Sequence, residues 1–520
     1  MATTTGATDT ETAIERADTE QLHQMGYAQE LRRKMSVFSN FAISFTIISI
    51  LSGCLTLYGF GMITGGPVVM SIGWPIVGFF VMIIGLNMAE VASSYPTAGG
   101  LYYWSAKLAH TGKRNAPAWS WFTGWFNLLG QVAVTAGIDF GLALFVNAYL
   151  NLVFHYPVGP RWLILIYGIV LVLHGLLNTF GIALVALLND ISVWWHVFGV
   201  LIIVGTLVIV PSQHQSFSFV FTERVNGTGF SSMIYVVLIG LLLSQYTLTG
   251  YDASAHMSEE TKEANRSAPW GIVTSIGVSV IFGWILLLGV TFAIQDYAGE
   301  SASATGVPPA QIFIDAAGYR TGLLLLLIAI GAQFFCGMSS ITSNSRMIYA
   351  FSRDGALPAS SLWHRINKRT RTPTNSIWLA AAGAFILGLP YLWNPSAYAA
   401  VTSIAVIGLY IAYVMPIFLR LVVGDRFVKG PWHLGSWGRP LAVVSVAWVA
   451  FITVLFCLPQ TGPFDQISLY NFNYAVIAAA GVLLFSGGWW FLGARRWFKG
   501  PRVQGTPEEL RAIERALEVG

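Results

Sequence analysis

Among the ionisable side chains inside runs of apolar residues long enough to cross a bilayer are Asp139 in "VTAGIDFGLAL", His174, His196 in "LLNDISVWWHVFG", and Asp252 in "LTGYDASAHMSEE". A charge at the bilayer centre costs about 2.5–3.5 kcal/mol on insertion scales, so each of these residues must face a polar cavity, take a proton or find a partner. A carboxylate that takes a proton, or an imidazole that titrates near neutral pH, offers proton transfer inside the membrane. Asp252 is the main candidate because small and polar residues precede it: Ser244, Gln245, Thr247, Thr249 and Gly250. Ser49, Ser52 and Gly53 interrupt an earlier apolar run in the same way. Such residues can simply be packing contacts between helices. They also loosen a helix, and irregular backbone in a membrane is tolerated only where it lines a cavity or is buried in protein. Asp139 reads as a second buried carboxylate, and His174 as structural. Glu90 ends an apolar run beside "PTAGGLYY" and reads either as a solvated helix-end carboxylate or as the partner of a basic residue such as Arg346 or Arg353, whereas Glu259, Glu260, Lys262 and Arg266 read as surface charges of a loop.

The elements that must position these residues follow from composition. Of 520 residues, 55% are hydrophobic and 10% charged, which no soluble domain matches. A span needs about 20 apolar residues, and twelve segments qualify, at roughly 36–64, 68–94, 117–153, 162–180, 182–210, 231–256, 269–294, 322–350, 375–393, 396–420, 440–460 and 470–494. The two polar interruptions fall in the first and sixth spans. That is the relation expected if spans one to five and six to ten are inverted repeats with the binding site where the paired helices unwind. All but Arg161, Arg224 and Arg320 of the 28 Lys and Arg fall on the side that carries both termini, which predicts cytosolic termini. The net charge of +4 follows from that asymmetry and implies no nucleic acid partner.

Residues 1–34 read as a disordered cytosolic tail without a secretory signal, and "TPEELRAIERALEVG" as a short amphipathic helix. Trp121, Trp125, Trp393, Trp489 and Trp490 sit near span ends and read as headgroup anchors. Cys54, Cys336 and Cys457 have no metal-ligand spacing and read as packing residues. The glycines of "YGFGMITGG" follow no strand, and no catalytic motif sits at a membrane face.

Three motifs in order, "MAEVASSYPTAGGLYYW" (88–104), "TGYDASAHMSEET" (249–261) and "NSRMIYAFSRDGALP" (344–358), resemble the amino acid/choline transporter branch of the amino acid–polyamine–organocation superfamily, over residues from about 30 to 495. The resemblance implies an all-α integral membrane protein of the LeuT type. Its core would be ten helices (35–420, repeats 36–210 and 231–420) with broken helices 1 and 6, followed by two peripheral helices (421–494) and a cytosolic C-terminal tail (495–520). The family's substrate-binding break falls on Leu51-Ser52-Gly53, with Leu51 in place of the family's first Gly, and Ser49 lies just before it. By the same resemblance the gate residue falls on Tyr246, the unwound turn on Thr249-Gly250, the gating acid on Asp252 and a substrate-facing amide on Gln131. His196 stands where proton-coupled relatives carry a lysine that replaces a sodium ion, while Ser339 and Ser340 face the first break.

The expectation is therefore a secondary permease of the cell membrane, not an enzyme, working by alternating access on a small amino acid or amine. 4-Aminobutyrate is preferred, because donors at the first break suit a carboxylate. Choline or a polyamine stands as the alternative, with Tyr246, Tyr251, Trp194 and Trp195 as a possible aromatic cage. Exchange stands beside symport, and a membrane enzyme and a transporter-like sensor are the readings from other classes. No cofactor is implied. The coupling ion is expected to be a proton on Asp252 or His196, with a sodium site at Ser339, Ser340 and carbonyls near Ser49 as the rival.

Overall fold

The computed structural model describes residues 4–180, 182–469 and 471–518. In chain order its helices are α1 (Thr4–Gln24), α2 (Val37–Ile48), α3 (Ile50–Thr56), α4 (Tyr58–Ile63), α5 (Trp74–Ser94), α6 (Gly100–Thr111), α7 (Ala116–Phe154), α8 (Pro160–Phe180) and α9 (Ile182–Ile209). After the short α10 (Phe217–Thr222) come α11 (Met233–Gly240), α12 (Leu242–Thr247), α13 (Ala253–His256) and α14 (Ala264–Phe292). The small α15 (Tyr297–Ser301) and α16 (Pro308–Ala317) lead to α17 (Tyr319–Arg353), α18 (Ser360–Trp363), α19 (Thr374–Gly388), α20 (Ala397–Val423), α21 (Gly438–Cys457), α22 (Ala475–Trp489), α23 (Arg495–Trp497) and α24 (Pro507–Glu518).

Among the described residues, eleven helices are long and apolar enough to cross a membrane, against the twelve spans expected. The difference is the sixth span, which is helical over Met233–Thr247 and then gives out. Local chemistry sets the ends of the long helices. The Asn115 side chain accepts from the Ala118 N–H at 3.2 Å and Pro117 sits in the first turn, so α7 starts sharply. α20 stops at Gly424, whose φ of 60° a residue with a side chain would resist.

The 39-residue α7 is the axis of the bundle. It packs against α20 on one side and α17 on another, while α2 packs on α14 and α9, and α13 wedges between α2, α14 and α17. Side chains such as Phe79, Ile169, Leu201, Ile281, Leu324 and Leu484 turn outward, forming the apolar surface a bilayer requires.

Two expectations fail here. The N-terminal segment is not a loose tail: α1 is helical, and Leu22, Tyr27, Ala28 and Leu31 are fully buried. Apolar residues spaced through "LHQMGYAQELRRK" give this segment a face to dock. Met35 then pairs with the stretch after α13, its N–H donating to Glu260 O at 2.8 Å and its carbonyl accepting from Lys262 N at 2.9 Å. Nor are Trp121, Trp125 and Trp490 headgroup anchors, since all three are buried. Trp121 meets Trp489 and Phe498 edge-on at 5.1 Å each and donates to Ser486 O at 2.9 Å, which fastens α22 to α7. Trp393 is exposed. The amphipathic C-terminal helix is present as α24.

Candidate transport site

The first interruption is a single residue. Ser49 has φ 39° and ψ 80°, a left-handed conformation that ends α2 and starts α3. Its N–H still donates to Phe45 O at 3.0 Å, and its carbonyl accepts from Ser52 N at 2.8 Å and Gly53 N at 2.9 Å. The two N–H groups expected to hold a carboxylate are thus turned back onto the chain. The carbonyl of Ile47, loosened by the break, accepts from the Cys336 thiol at 3.2 Å.

The second interruption runs over residues 248–252. Side chains from other helices, and one from the turn itself, take up backbone groups here, as burial in a membrane demands. Tyr410 donates to Leu248 O at 2.5 Å, Ser44 to Tyr251 O at 2.9 Å, and Thr249 Oγ1 to Tyr246 O at 2.7 Å. Gly250 sits at φ 85°, and a Cβ there would lie 2.2 Å from Ile47 Cγ2. This turn therefore needs glycine twice over, and the two interruptions touch. Gly53 likewise faces Thr247, whose atoms begin 2.6 Å from where a Cβ would stand.

Between the breaks is a cavity of about 10 Å³ lined by Ile47, Ile48, Ser52, Gly53, Val134, Ile138, Tyr246, Thr247, Thr249 and Cys336. Of the expected binding residues, Ser52, Gly53, Tyr246 and Thr249 are brought together here, with Gly250 and Ser49 in the adjoining turns. The volume is room for about one water, so the site is contracted.

The polar candidates divide into separate networks. Asp252 is fully buried; its Oδ1 accepts from Tyr413 at 2.7 Å and its Oδ2 from Gln131 at 2.7 Å, with His256 Nε2 at 3.2 Å from Oδ2. Gln131 thus serves Asp252 and is not a lining residue of the cavity. His196, also buried, touches the first break directly, with Nε2 2.7 Å from Ser49 Oγ and Nδ1 2.7 Å from Ser192 O. Ser339 and Ser340 part company: Ser339 bonds to Asn189 of α9 and to Phe335 O, and Ser340 to Thr135 of α7 at 2.8 Å. Among the described residues, no group of three His, Cys, Asp or Glu could hold a metal. Asp139 Oδ1 lies 3.1 Å from His174 Nδ1 in a second buried pair between α7 and α8. Trp194 and Trp195 face outward, which removes them from any aromatic cage, while Tyr251 packs on Tyr413 at 5.0 Å.

Toward the face that carries both termini, two of the four surface charges expected after α13, Glu259 and Glu260, are buried in ion pairs instead, while Lys262 is half-buried and Arg266 exposed. Glu259 is held by Arg353 at 2.9 Å and Glu260 by Arg346 at 2.8 Å. Glu90 pairs with Arg420 at 3.1 Å, not with Arg346 or Arg353, because those two are already engaged. Asp354 accepts from Tyr102 at 2.8 Å, Tyr27 at 3.1 Å and Arg502 N at 2.9 Å. Desolvation in this cluster pushes the Asp354 carboxyl above its ordinary value, with Arg353 and these donors pulling the other way. Gln504 and Glu514, from the C-terminal segment, hold residues 23–29 in place.

His256, Tyr413 and Cys336 are the site residues that motif reading missed. His256 had a legible signal, because it stands four residues after Asp252 and so shares its helix face. Tyr413 and Cys336 had none, since only the tertiary fold brings α20 and α17 to the breaks.

A bundle of membrane-crossing helices with two touching interruptions around a small buried cavity is the build of a membrane transporter. The chain belongs to the amino acid permease family, whose model matches residues 35–483. It is 45% identical over 498 residues to amino-acid permease BAT1 of Arabidopsis thaliana, covering 92% of this chain and 95% of that protein. It is also 45% identical to the BAT1 homolog of Oryza sativa subsp. japonica, over the same shares of the two chains. The GABA-specific permease of Saccharomyces cerevisiae is 31% identical over 494 residues, 93% of this chain and 86% of that one. The fold is accordingly of the LeuT type, and the protein is a multi-pass transporter of amino acids, not an enzyme.

Proposed function

We propose that this permease is a proton-coupled secondary transporter for a small amino acid, 4-aminobutyrate or a close analogue, in the plasma membrane with both termini in the cytosol. The observation that carries the reading is the contact between the two interruptions, Gly250 against Ile47, beside a cavity lined by both. Backbone groups freed on both sides of one cavity suit a ligand that bears a carboxylate at one end and an ammonium at the other.

When the first break opens, the N–H groups of Ser52 and Gly53 leave the Ser49 carbonyl and receive the substrate carboxylate. The ammonium lies against the carbonyls near Tyr246 and Thr249, and Tyr246 closes over it. The apolar lining from Val134, Ile138 and Cys336 suits a short unbranched chain. The relative named as GABA-specific supports the same choice. The proton binds within the membrane at Asp252 or His196 and must favour one orientation of the carrier, since a ligand shifts an equilibrium only by its differential affinity.

Purified protein in liposomes tests this. Sodium-free vesicles with an imposed pH gradient should accumulate 4-aminobutyrate or a related amino acid. Accumulation that requires sodium and ignores the pH gradient rejects proton coupling, and uptake of choline without any amino acid rejects the substrate class.

A further inference from the structure

The hydrogen bonds of the two buried imidazoles near the breaks discriminate between the candidates for the proton. A backbone carbonyl can only accept, so a ring nitrogen facing one carries hydrogen. In His196 that nitrogen is Nδ1, against Ser192 O, and the remaining Nε2 accepts from the Ser49 hydroxyl. Both ring nitrogens are satisfied by the neutral ring, and no carboxylate forms an ion pair with it among the described residues. In His256 the carbonyl is Ala98 O, 2.9 Å from Nδ1. Its Nε2 then faces Asp252 Oδ2 at 3.2 Å, and a neutral ring would set one lone pair against another. A proton in that gap turns the clash into a charge-assisted hydrogen bond. Asn127 agrees: its Nδ2 lies 3.3 Å from the same Nε2, and its Oδ1 has no partner among the described residues. The amide fits this position in either orientation, and with its oxygen toward the ring it accepts from a protonated Nε2.

We infer that Asp252 and His256 together form the proton site, and that the shared proton is the condition for closing the permease on the face that carries both termini. This deepens the proton-coupled reading and rests on it. The surroundings isolate the pair. α20 presents Tyr410 and Tyr413, α7 presents Asn127 and Gln131, and Tyr251 packs from the turn itself. α2 offers the neutral Asn40 and Ser44, and α14 meets Ser254 with Gly271. The charges of α17, Arg346 and Arg353, are matched by Glu260 and Glu259. Among the described residues, His256 is the one cation-capable group within ion-pair distance of Asp252.

The pair also connects the break to the gate. Gly250 N donates to Tyr413 OH at 3.3 Å, Tyr413 donates to Asp252, and His256 holds Ala98 O. The N–H of Ala98 donates to Glu259 Oε1 at 3.1 Å, and Arg353 holds Glu259. With the proton in place, this run of contacts pulls α13 and the turn before α6 together. Without it, Asp252 and His256 repel each other and the turn is released.

The test compares wild type with His256→Gln and Asp252→Asn in the same liposomes. Either amide supplies a fixed hydrogen for the gap, so closure no longer needs a proton. Wild type should accumulate substrate about tenfold per pH unit if one proton accompanies each molecule. The variants should exchange substrate across the membrane at rates independent of pH and reach a ratio of about one. In detergent with a pH indicator, substrate should change the protonation of wild type by about one proton and of the variants by none. If His256→Gln does not yield monodisperse protein, Asp252→Asn and the wild-type proton count decide. Wild type that ignores the pH gradient overturns proton coupling itself. Wild type that responds, with variants that still accumulate, overturns the Asp252–His256 assignment alone.

Discussion

The two ends of the cavity are closed by different materials. Toward the termini lie Asp252 and its donors, then three buried ion pairs, then Asp354 with two tyrosines, and over these the interlocked chain ends. Toward the opposite face the seal is neutral and thin. Tyr246 lines the cavity with a hydroxyl that has no partner among the described residues, Tyr398 reaches Gly137 O at 3.3 Å, and Gln333 reaches Thr56 at 3.4 Å. Ion pairs of buried groups are all-or-none contacts, since separating one leaves a charge in a dry site, whereas aromatic and amide contacts yield by small rotations. The difference describes a carrier locked toward the termini and lightly latched on the other side.

The sharpest way to break that contrast is Arg353→Ala. Glu259 would be left buried and unpaired, a change worth about 3–5 kcal/mol, so the terminal face should open. Cys336, which lines the cavity, reports it: labelling by a membrane-impermeant maleimide from that face should rise on the order of a hundredfold, and an unchanged rate would show that the ion pairs do not hold the gate.

A smaller effect is expected from Glu300, a buried carboxylate near the opposite face. Glu300 accepts from Gln295 N at 3.1 Å, and burial pushes its pKa up to about 7. The folded state therefore binds a proton that the unfolded chain has lost between about pH 4.5 and 7, and stability falls as pH rises across that window. Glu300→Gln should flatten the fall, by about 1–2 °C in Tm for a chain of this size. A parallel pH profile in the variant would reject the assignment.

The smallest change should come from Tyr246→Phe. Because the hydroxyl has no partner among the described residues, Cys336 labelling from either face should stay within about twofold. A large rise from the face opposite the termini would mean that this latch is stronger than its contacts imply.

Sequence and structure agree where a single element carries the signal. Polar interruptions in apolar runs located both helix breaks, and Asp252 stood out because hydrocarbon penalises it. The side of the membrane on which Lys and Arg collect is also the side of the buried ion pairs. What was illegible depends on distant partners. Glu259 and Glu260 look like loop charges until Arg353 and Arg346 arrive from α17. Gln131 looks like a substrate ligand until Asp252 claims its amide. Residues 1–34 look disordered because their composition is polar, yet the few apolar residues among them dock on a surface that only the folded bundle provides.

The interlocking of the chain ends also sets an order of events in biosynthesis. The side chains that clamp residues 23–29 come from Gln504 and Glu514, nearly the whole chain later. While the last spans are still being threaded into the bilayer, the Arg353–Glu259 and Arg346–Glu260 pairs have their residues in place, but residues 23–29 still lack their clamp. That clamp is among the last contacts such a chain can acquire.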